Sequence, residues 1–178
     1  WNIANENASP LRDFNYDLTN LPVFIYHAGG QARDQGVRIL DVNGDGLPDL
    51  IKLRDDGYGN IQRELWLNKG DGTGWTLQGN NGLSDLPAFV STGYGYDQGV
   101  RILDINSDGL PDFLKIRDPG GDPIQREVYL NKGDGTGWTR DSNYGLSQLP
   151  VFVSAPGNDM GVRVIDINSD SLPDLIKL

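Results

Sequence analysis

The sequence predicts an all-β protein built from four-stranded antiparallel repeats of about 63 residues. Residues 34–41 return unchanged at 97–104 and, with three substitutions, at 159–166, so the units begin 63 and 62 residues apart. Within each unit, short β-branched or alternating segments are separated by glycine-bearing turns. No stretch has the periodicity of an amphipathic helix, which leaves strands as the expected elements.

The first full repeat shows the predicted strand order. Residues 37–40 form the first strand, 50–53 the second and 63–68 the third, and a fourth segment begins at Trp75 and leads to an extended stretch at 87–90. Four short strands joined by tight turns are what a propeller blade requires. Because one unit cannot bury its apolar face alone, copies this similar are expected to stack.

The repeat boundaries predict an incomplete ring of two full and two partial blades in one propeller domain. Residues 1–33 are expected to supply an outer strand and exit segment, 34–96 and 97–158 the two full blades, and 159–178 only the first two strands of another. We expect either a piece of a longer propeller or copies that complete each other's partial blades head-to-tail. Under both alternatives, an open strand edge near Leu178 is covered by another segment or chain.

The cysteine and histidine counts and the net charge exclude several classes of functional site and partner. The chain has 178 residues, 25 acidic and 15 basic side chains, one histidine and no cysteine. The absence of cysteine excludes a disulfide scaffold, a cysteine zinc site and a thiol nucleophile. A formal net charge of −10 argues against nucleic acid as the partner. No apolar run is long enough for membrane insertion. A Ser-His or Cys-His catalytic pair cannot be assembled in each repeat from one histidine, so a non-enzymatic protein is predicted.

An acidic loop recurs between the first two strands of each repeat, at 41–49, 104–112 and 166–174. Oxygen-bearing side chains occupy loop positions 1, 3, 5 and 9, and a backbone carbonyl is available at position 7. This all-oxygen pattern favours Ca²⁺, although an acidic solvated turn is the alternative. Lysine at position 12 and flanking strands exclude an EF-hand. The candidate ligands are Asp41, Asn43, Asp45, Leu47, Asp49, Asp104, Asn106, Asp108, Leu110, Asp112, Asp166, Asn168, Asp170, Leu172 and Asp174.

About three Ca²⁺ ions per chain are expected, which would move the formal charge from −10 to −4. The third site is predicted to be the weakest, because Ser171 stands where Gly46 and Gly109 occupy position 6 of the other loops.

The motif Asp-x-Asn-x-Asp-Gly-x-x-Asp between strands, repeated about every 63 residues, resembles the FG-GAP/VCBS repeats of integrin α-subunit-like calcium-binding β-propellers. The phrases at 67–75 and 130–138 are similar to bacterial versions of these repeats. The resemblance implies a calcium loop between strands 1 and 2, with the ligands named above. It also implies an extracellular or cell-surface protein that serves adhesion or ligand binding, with a protein or glycan ligand and further blades as partners. The alternatives are a lectin propeller and a structural shell of a secreted toxin or assembly.

Other recurring side chains have simpler expected roles. The basic residues beside each loop are expected to pair with nearby aspartates and so balance the acidic loops, and two glutamates are expected to pair with the arginines next to them. Buried aromatic residues are expected to pack in the core or between blades. Exposed tyrosines could stack on sugars. The four sets are Arg38, Arg101, Arg163, Lys52, Lys115 and Lys177; Glu64 with Arg63 and Glu127 with Arg126; Trp66, Trp75, Trp138 and Tyr129; and Tyr58, Tyr94 and Tyr96.

Overall fold

A computed structural model describes residues 18–79, 82–91, 94–170 and 172–178. These residues form sixteen β-strands and one turn of 3-10 helix at Leu146–Gln148. In chain order the strands are β1 Ile25–Ala28, β2 Gln31–Asp34, β3 Val37–Leu40, β4 Asp49–Asp55, β5 Ile61–Asn68, β6 Trp75–Gly79, β7 Val90–Ser91, β8 Tyr96–Asp97, β9 Val100–Leu103, β10 Asp112–Asp118, β11 Gln125–Asn131, β12 Trp138–Asp141, β13 Val153–Ser154, β14 Asn158–Asp159, β15 Val162–Ile165 and β16 Asp174–Lys177.

Two four-stranded antiparallel meanders confirm the predicted fold class. Strands β3 to β6 form the first blade and β9 to β12 the second, each pairing with its sequence neighbour. Strands β15 and β16 pair as the first two strands of a further blade. The outer strand predicted at the start of segment 1–33 falls within residues 1–17, outside the described ranges. No helix among the described residues is long and apolar enough to cross a membrane.

Short hairpins connect the blades and were not predicted. The hairpins are β1–β2, β7–β8 and β13–β14. Strand β7 pairs in parallel with the end of β4, with Arg54 opposite Val90, and β13 pairs in the same way with β10. The fourth strand of the first blade therefore ends at Gly79, and the extended stretch near residue 90 is a separate strand. The Phe89 N–H donates to the Leu53 carbonyl at 2.9 Å, and this bond holds β7 beside the end of β4.

The core lies between the blades. Ile51, Leu53 and Leu65 of the first blade share one buried cluster with aromatic residues of the second. In that cluster the Phe113 ring stacks on Trp138 at a centroid distance of 4.9 Å. A second cluster joins the opposite face of the second blade to β13 and β15. Burial of Trp66, Tyr129 and Trp138 confirms their predicted packing role, whereas Trp75 is partly buried.

Candidate metal sites

Each acidic loop is the connection of a two-stranded hairpin. The first lies between β3 and β4, the second between β9 and β10, and the third between β15 and β16. In the first, Leu40 is directly opposite Asp49, so the two ends of the loop are held side by side by the strand ladder. The ladder therefore places loop positions 1 and 9 at the same end of the blade.

Hydrogen bonds fold the first loop around its first aspartate. The Asp41 carboxylate accepts N–H bonds from Gly44 at 2.8 Å, Asp45 at 3.1 Å and Gly46 at 2.8 Å. The Asp45 carboxylate in turn accepts the Leu47 N–H at 2.8 Å. These bonds turn the loop backbone inward around the Asp41 carboxylate.

The second and third loops repeat this arrangement. Asp104 accepts the Gly109 N–H at 2.8 Å, and Asp108 accepts the Leu110 N–H at 2.8 Å. In the third loop, Asp166 accepts the Asp170 N–H at 3.2 Å, and Asp170 accepts the Leu172 N–H at 2.8 Å. Three copies thus share one local fold.

Two loop positions adopt left-handed backbone. Position 6 has φ of 81° at Gly46 and 83° at Gly109, as the sequence predicted for these glycines. Ser171, on which the weaker third site was predicted, lies outside the described residues. Position 4 is also left-handed, and the serines at this position in the later copies, Ser107 and Ser169, have φ of 64° and 62°. Each such serine costs roughly 1–2 kcal/mol, a strain that the sequence did not reveal.

Position 9 has a structural role beyond the predicted ligand role. Asp49 and Asp112 are both 0% exposed. Asp49 accepts the Val42 N–H at 3.0 Å and the Asn68 N–H at 2.8 Å. Asp112 accepts the equivalent N–H groups, from Ile105 at 2.9 Å and Asn131 at 2.7 Å. Each buried carboxylate therefore ties the start of its loop to the end of the third strand.

The electrostatics of position 9 reflect its crowded surroundings. Burial raises the pKa of Asp49, the N–H bonds from Asn68 and Val42 oppose that rise, and the charges of Asp45 and Asp41 add to it. The pKa of Asp112 is raised for the same reasons, burial first. The carboxylates of one loop therefore repel one another, and a bound cation would relieve this repulsion.

The basic residues beside the loops pair differently from the prediction. Arg38, Arg101 and Arg163 do pair with aspartates, at 2.8, 3.0 and 2.8 Å, but these are the hairpin residues four positions earlier, at 34, 97 and 159. Lys52 pairs with Glu64 at 3.0 Å and Lys115 with Glu127 at 3.5 Å. The pairing predicted between each glutamate and its neighbouring arginine is thus wrong, and these cations are engaged away from the acidic loops.

The donor set fits a hard cation that takes oxygen ligands. In the first loop, the Asn43 amide donates to Asp45 at 2.9 Å and its oxygen accepts the Asp45 N–H at 3.2 Å, which brings these two side chains together. Within the described ranges, no group of three His, Cys, Asp or Glu side chains could hold a metal ion by itself. An ion in the loop would therefore need the Asn43 amide oxygen and the Leu47 carbonyl beside the carboxylates, a mixture typical of Ca²⁺.

Exposed tyrosines lie at the opposite end of the strands from the acidic loops. Tyr58 is in the turn after β4 and is 91% exposed. Tyr94 and Tyr96, on the β7–β8 hairpin, stack with ring centroids 5.6 Å apart. The Arg33 guanidinium lies 4.8 Å from the centre of the Tyr94 ring. This face thus combines aromatic rings with a cation.

Comparison with known proteins agrees with the geometry. Residues 41–114 match the model of the FG-GAP-like repeat. The chain is 26% identical over 177 residues to the T-cell immunomodulatory protein homolog of Plasmodium yoelii yoelii. The matched region covers 97% of this chain and 22% of that protein. The chain thus spans about a fifth of the relative's length. No solved structure matches the chain. The resemblance predicted from the acidic loops is therefore confirmed for residues 41–114, which are similar to the FG-GAP-like repeat.

Proposed function

We propose that this chain is a calcium-binding, non-enzymatic β-propeller segment of an extracellular or surface protein and that it serves adhesion or ligand binding. One observation carries the calcium proposal: in all three loops the position 5 N–H donates to the position 1 carboxylate, and the position 3 amide donates to the position 5 carboxylate. A loop already folded in this way loses less conformational entropy on binding than an unstructured loop would.

In the first loop, Asp41, Asn43, Asp45, the Leu47 carbonyl and Asp49 would hold the ion, and Asp49 would also tie the loop to the third strand. The bound ion would supply positive charge among carboxylates that otherwise repel. The equivalent residues of the second and third loops would do the same. The third site is proposed to be the weakest because Ser171 replaces the glycine that occupies position 6 in the other two loops.

The surface location and the adhesive role rest on the family and the relative. FG-GAP repeat proteins are generally non-enzymatic. The relative's name describes an immunomodulatory protein, a role that suits a surface or secreted molecule. Because the chain spans only 22% of that relative, the role of the whole protein is part of the proposal.

A glycan ligand is the second candidate, favoured by the stacked pair Tyr94 and Tyr96. Aromatic rings with hydroxyl groups offer an apolar face and a polar edge, as a sugar ring does. A glycan array tests this: replacing both tyrosines by alanine should abolish binding, while Tyr58→Ala, on the same face but outside the pair, should retain it. Glycan binding that survives the double substitution would contradict the role of this pair.

Calcium titration by calorimetry, with thermal melting in parallel, tests the main proposal. We expect about three sites and a melting temperature that rises with calcium, because a ligand bound only by the native state stabilises by about 2.7 kcal/mol per site at 100 times its Kd. Asp45→Asn together with Asp108→Asn should remove two of the sites. A melting temperature that is equal in EDTA and in millimolar calcium would contradict the proposal.

A further inference from the structure

We propose that Asn131 is a positioning residue that couples the first two acidic loops, so that they bind calcium cooperatively. The inference rests on the proposed calcium function and adds a property that separate loops would not have. Asn131 is the last residue of β11, in the second blade, and its side chain reaches the first loop.

A continuous path of buried hydrogen bonds joins the two loops. The Asn131 side-chain amide donates to the Val42 carbonyl at 2.9 Å, across a separation of 89 residues. The Asn131 N–H donates to Asp112 of the second loop at 2.7 Å. The Val42 N–H donates to Asp49 of the first loop at 3.0 Å. The backbone of one residue, Val42, and one asparagine therefore connect the two buried carboxylates.

The two loops also lie close together. A Cβ added to Gly44, at position 4 of the first loop, would lie 3.0 Å from Leu110 Cδ2. Leu110 occupies position 7 of the second loop, where the backbone carbonyl is a predicted ligand. A rearrangement of the first loop at Gly44 on binding an ion would therefore displace Leu110 of the second loop.

Coupling of this kind is reciprocal. An ion that orders the first loop fixes Val42, which holds Asn131 and through it Asp112, so part of the ordering of the second loop is complete before its own ion arrives. We expect occupancy of the first loop to raise the calcium affinity of the second by about fivefold, the lower end of the usual range for coupled sites.

Asn68 provides a matched control. It occupies the same place at the end of the third strand in the first blade, and its side-chain oxygen accepts the Gly70 N–H at 3.0 Å as that of Asn131 accepts the Gly133 N–H at 2.9 Å. Its amide donates to Pro48 of its own blade at 3.3 Å, as that of Asn131 donates to Pro111 at 3.4 Å, but among the described residues only the Asn131 amide also donates to the other blade. Asn68→Ala therefore removes the same turn bond as Asn131→Ala but no bond between blades.

The experiment follows the Gly109 amide by NMR as calcium is added, because this amide reports on the second loop alone. In the presence of Asn131, Asp45→Asn, which disables the first loop, should weaken binding at the second loop about fivefold. In Asn131→Ala the same substitution should have no effect, and in Asn68→Ala the fivefold effect should remain. Asn131→Ser, whose side chain is too short to reach Val42, replaces the alanine variant if that variant does not fold.

The outcomes separate two failures. If the Gly109 amide never responds to calcium, the proposed function fails. If it responds with an affinity that Asp45→Asn leaves unchanged, calcium binding stands and the coupling is overturned. If the coupling survives in both Asn131 variants, the assignment to Asn131 is overturned.

Discussion

Replacing Asp112 by asparagine separates the structural role of position 9 from metal binding. The carboxylate is 0% exposed and accepts N–H bonds from Ile105 and Asn131. Asparagine keeps the shape but has one acceptor oxygen, so one of the two buried N–H groups meets an amide donor instead. A hydrogen bond to a charged group contributes about 1.5–3 kcal/mol, and we expect Asp112→Asn to lower the free energy of unfolding by about that amount.

Urea unfolding in EDTA measures this loss without any contribution from calcium. Asp108→Asn is the matched control, because Asp108 is a candidate ligand whose bonds lie in the exposed part of the same loop. Its effect in EDTA should stay within about 0.5 kcal/mol, as for other surface substitutions. An equal loss in both variants, or no loss in Asp112→Asn, would refute the structural role of the buried carboxylate.

Two further predictions concern packing between the blades. Burial and the neighbouring Glu127 raise the pKa of Tyr129 to about 12. The unfolded chain then loses this proton first as pH rises above about 10, so stability should fall by about 1.4 kcal/mol per pH unit up to 12, and Tyr129→Phe should remove that part of the slope in unfolding measurements. An unchanged slope would contradict the assignment. Gly82→Ala should destabilise the protein by about 2–5 kcal/mol, because φ at Gly82 is 69° and the added Cβ would overlap the Thr136 carbonyl. Gly145 occupies the equivalent position in the second blade but has open space around it and φ of −71°, so Gly145→Ala should be near neutral. Equal melting temperatures for these two variants would refute the close contact.

The strands and acidic loops were predictable because their signals are local. Short alternating segments predicted β3 to β5, and the glycine at position 6 predicted a left-handed turn that the structure has at Gly46. The repetition favoured a calcium loop over an ordinary solvated turn, because an acidic turn with no special role would not be expected to recur at one spacing in three copies.

The partners of buried and charged groups were not predictable from neighbours in sequence. Adjacent strand residues point to opposite faces, so Glu64 faces Lys52 across the ladder rather than Arg63 beside it. A prediction of strand register would have found this pair.

The bond from Asn131 to Val42 depends on how one blade sits against the next, and no local pattern encodes that alignment. Its only sequence signal was the asparagine that recurs before each Lys-Gly-Asp-Gly turn, at positions 68 and 131.

A crystal structure determined in excess calcium, with anomalous scattering from the metal, tests the central claim most directly. We expect peaks inside loops 41–49 and 104–112, within about 2.3–2.6 Å of the oxygens at positions 1, 3, 5, 7 and 9, and a weaker peak inside 166–174. The absence of anomalous density from all three loops, with only water beside those oxygens, would contradict the claim.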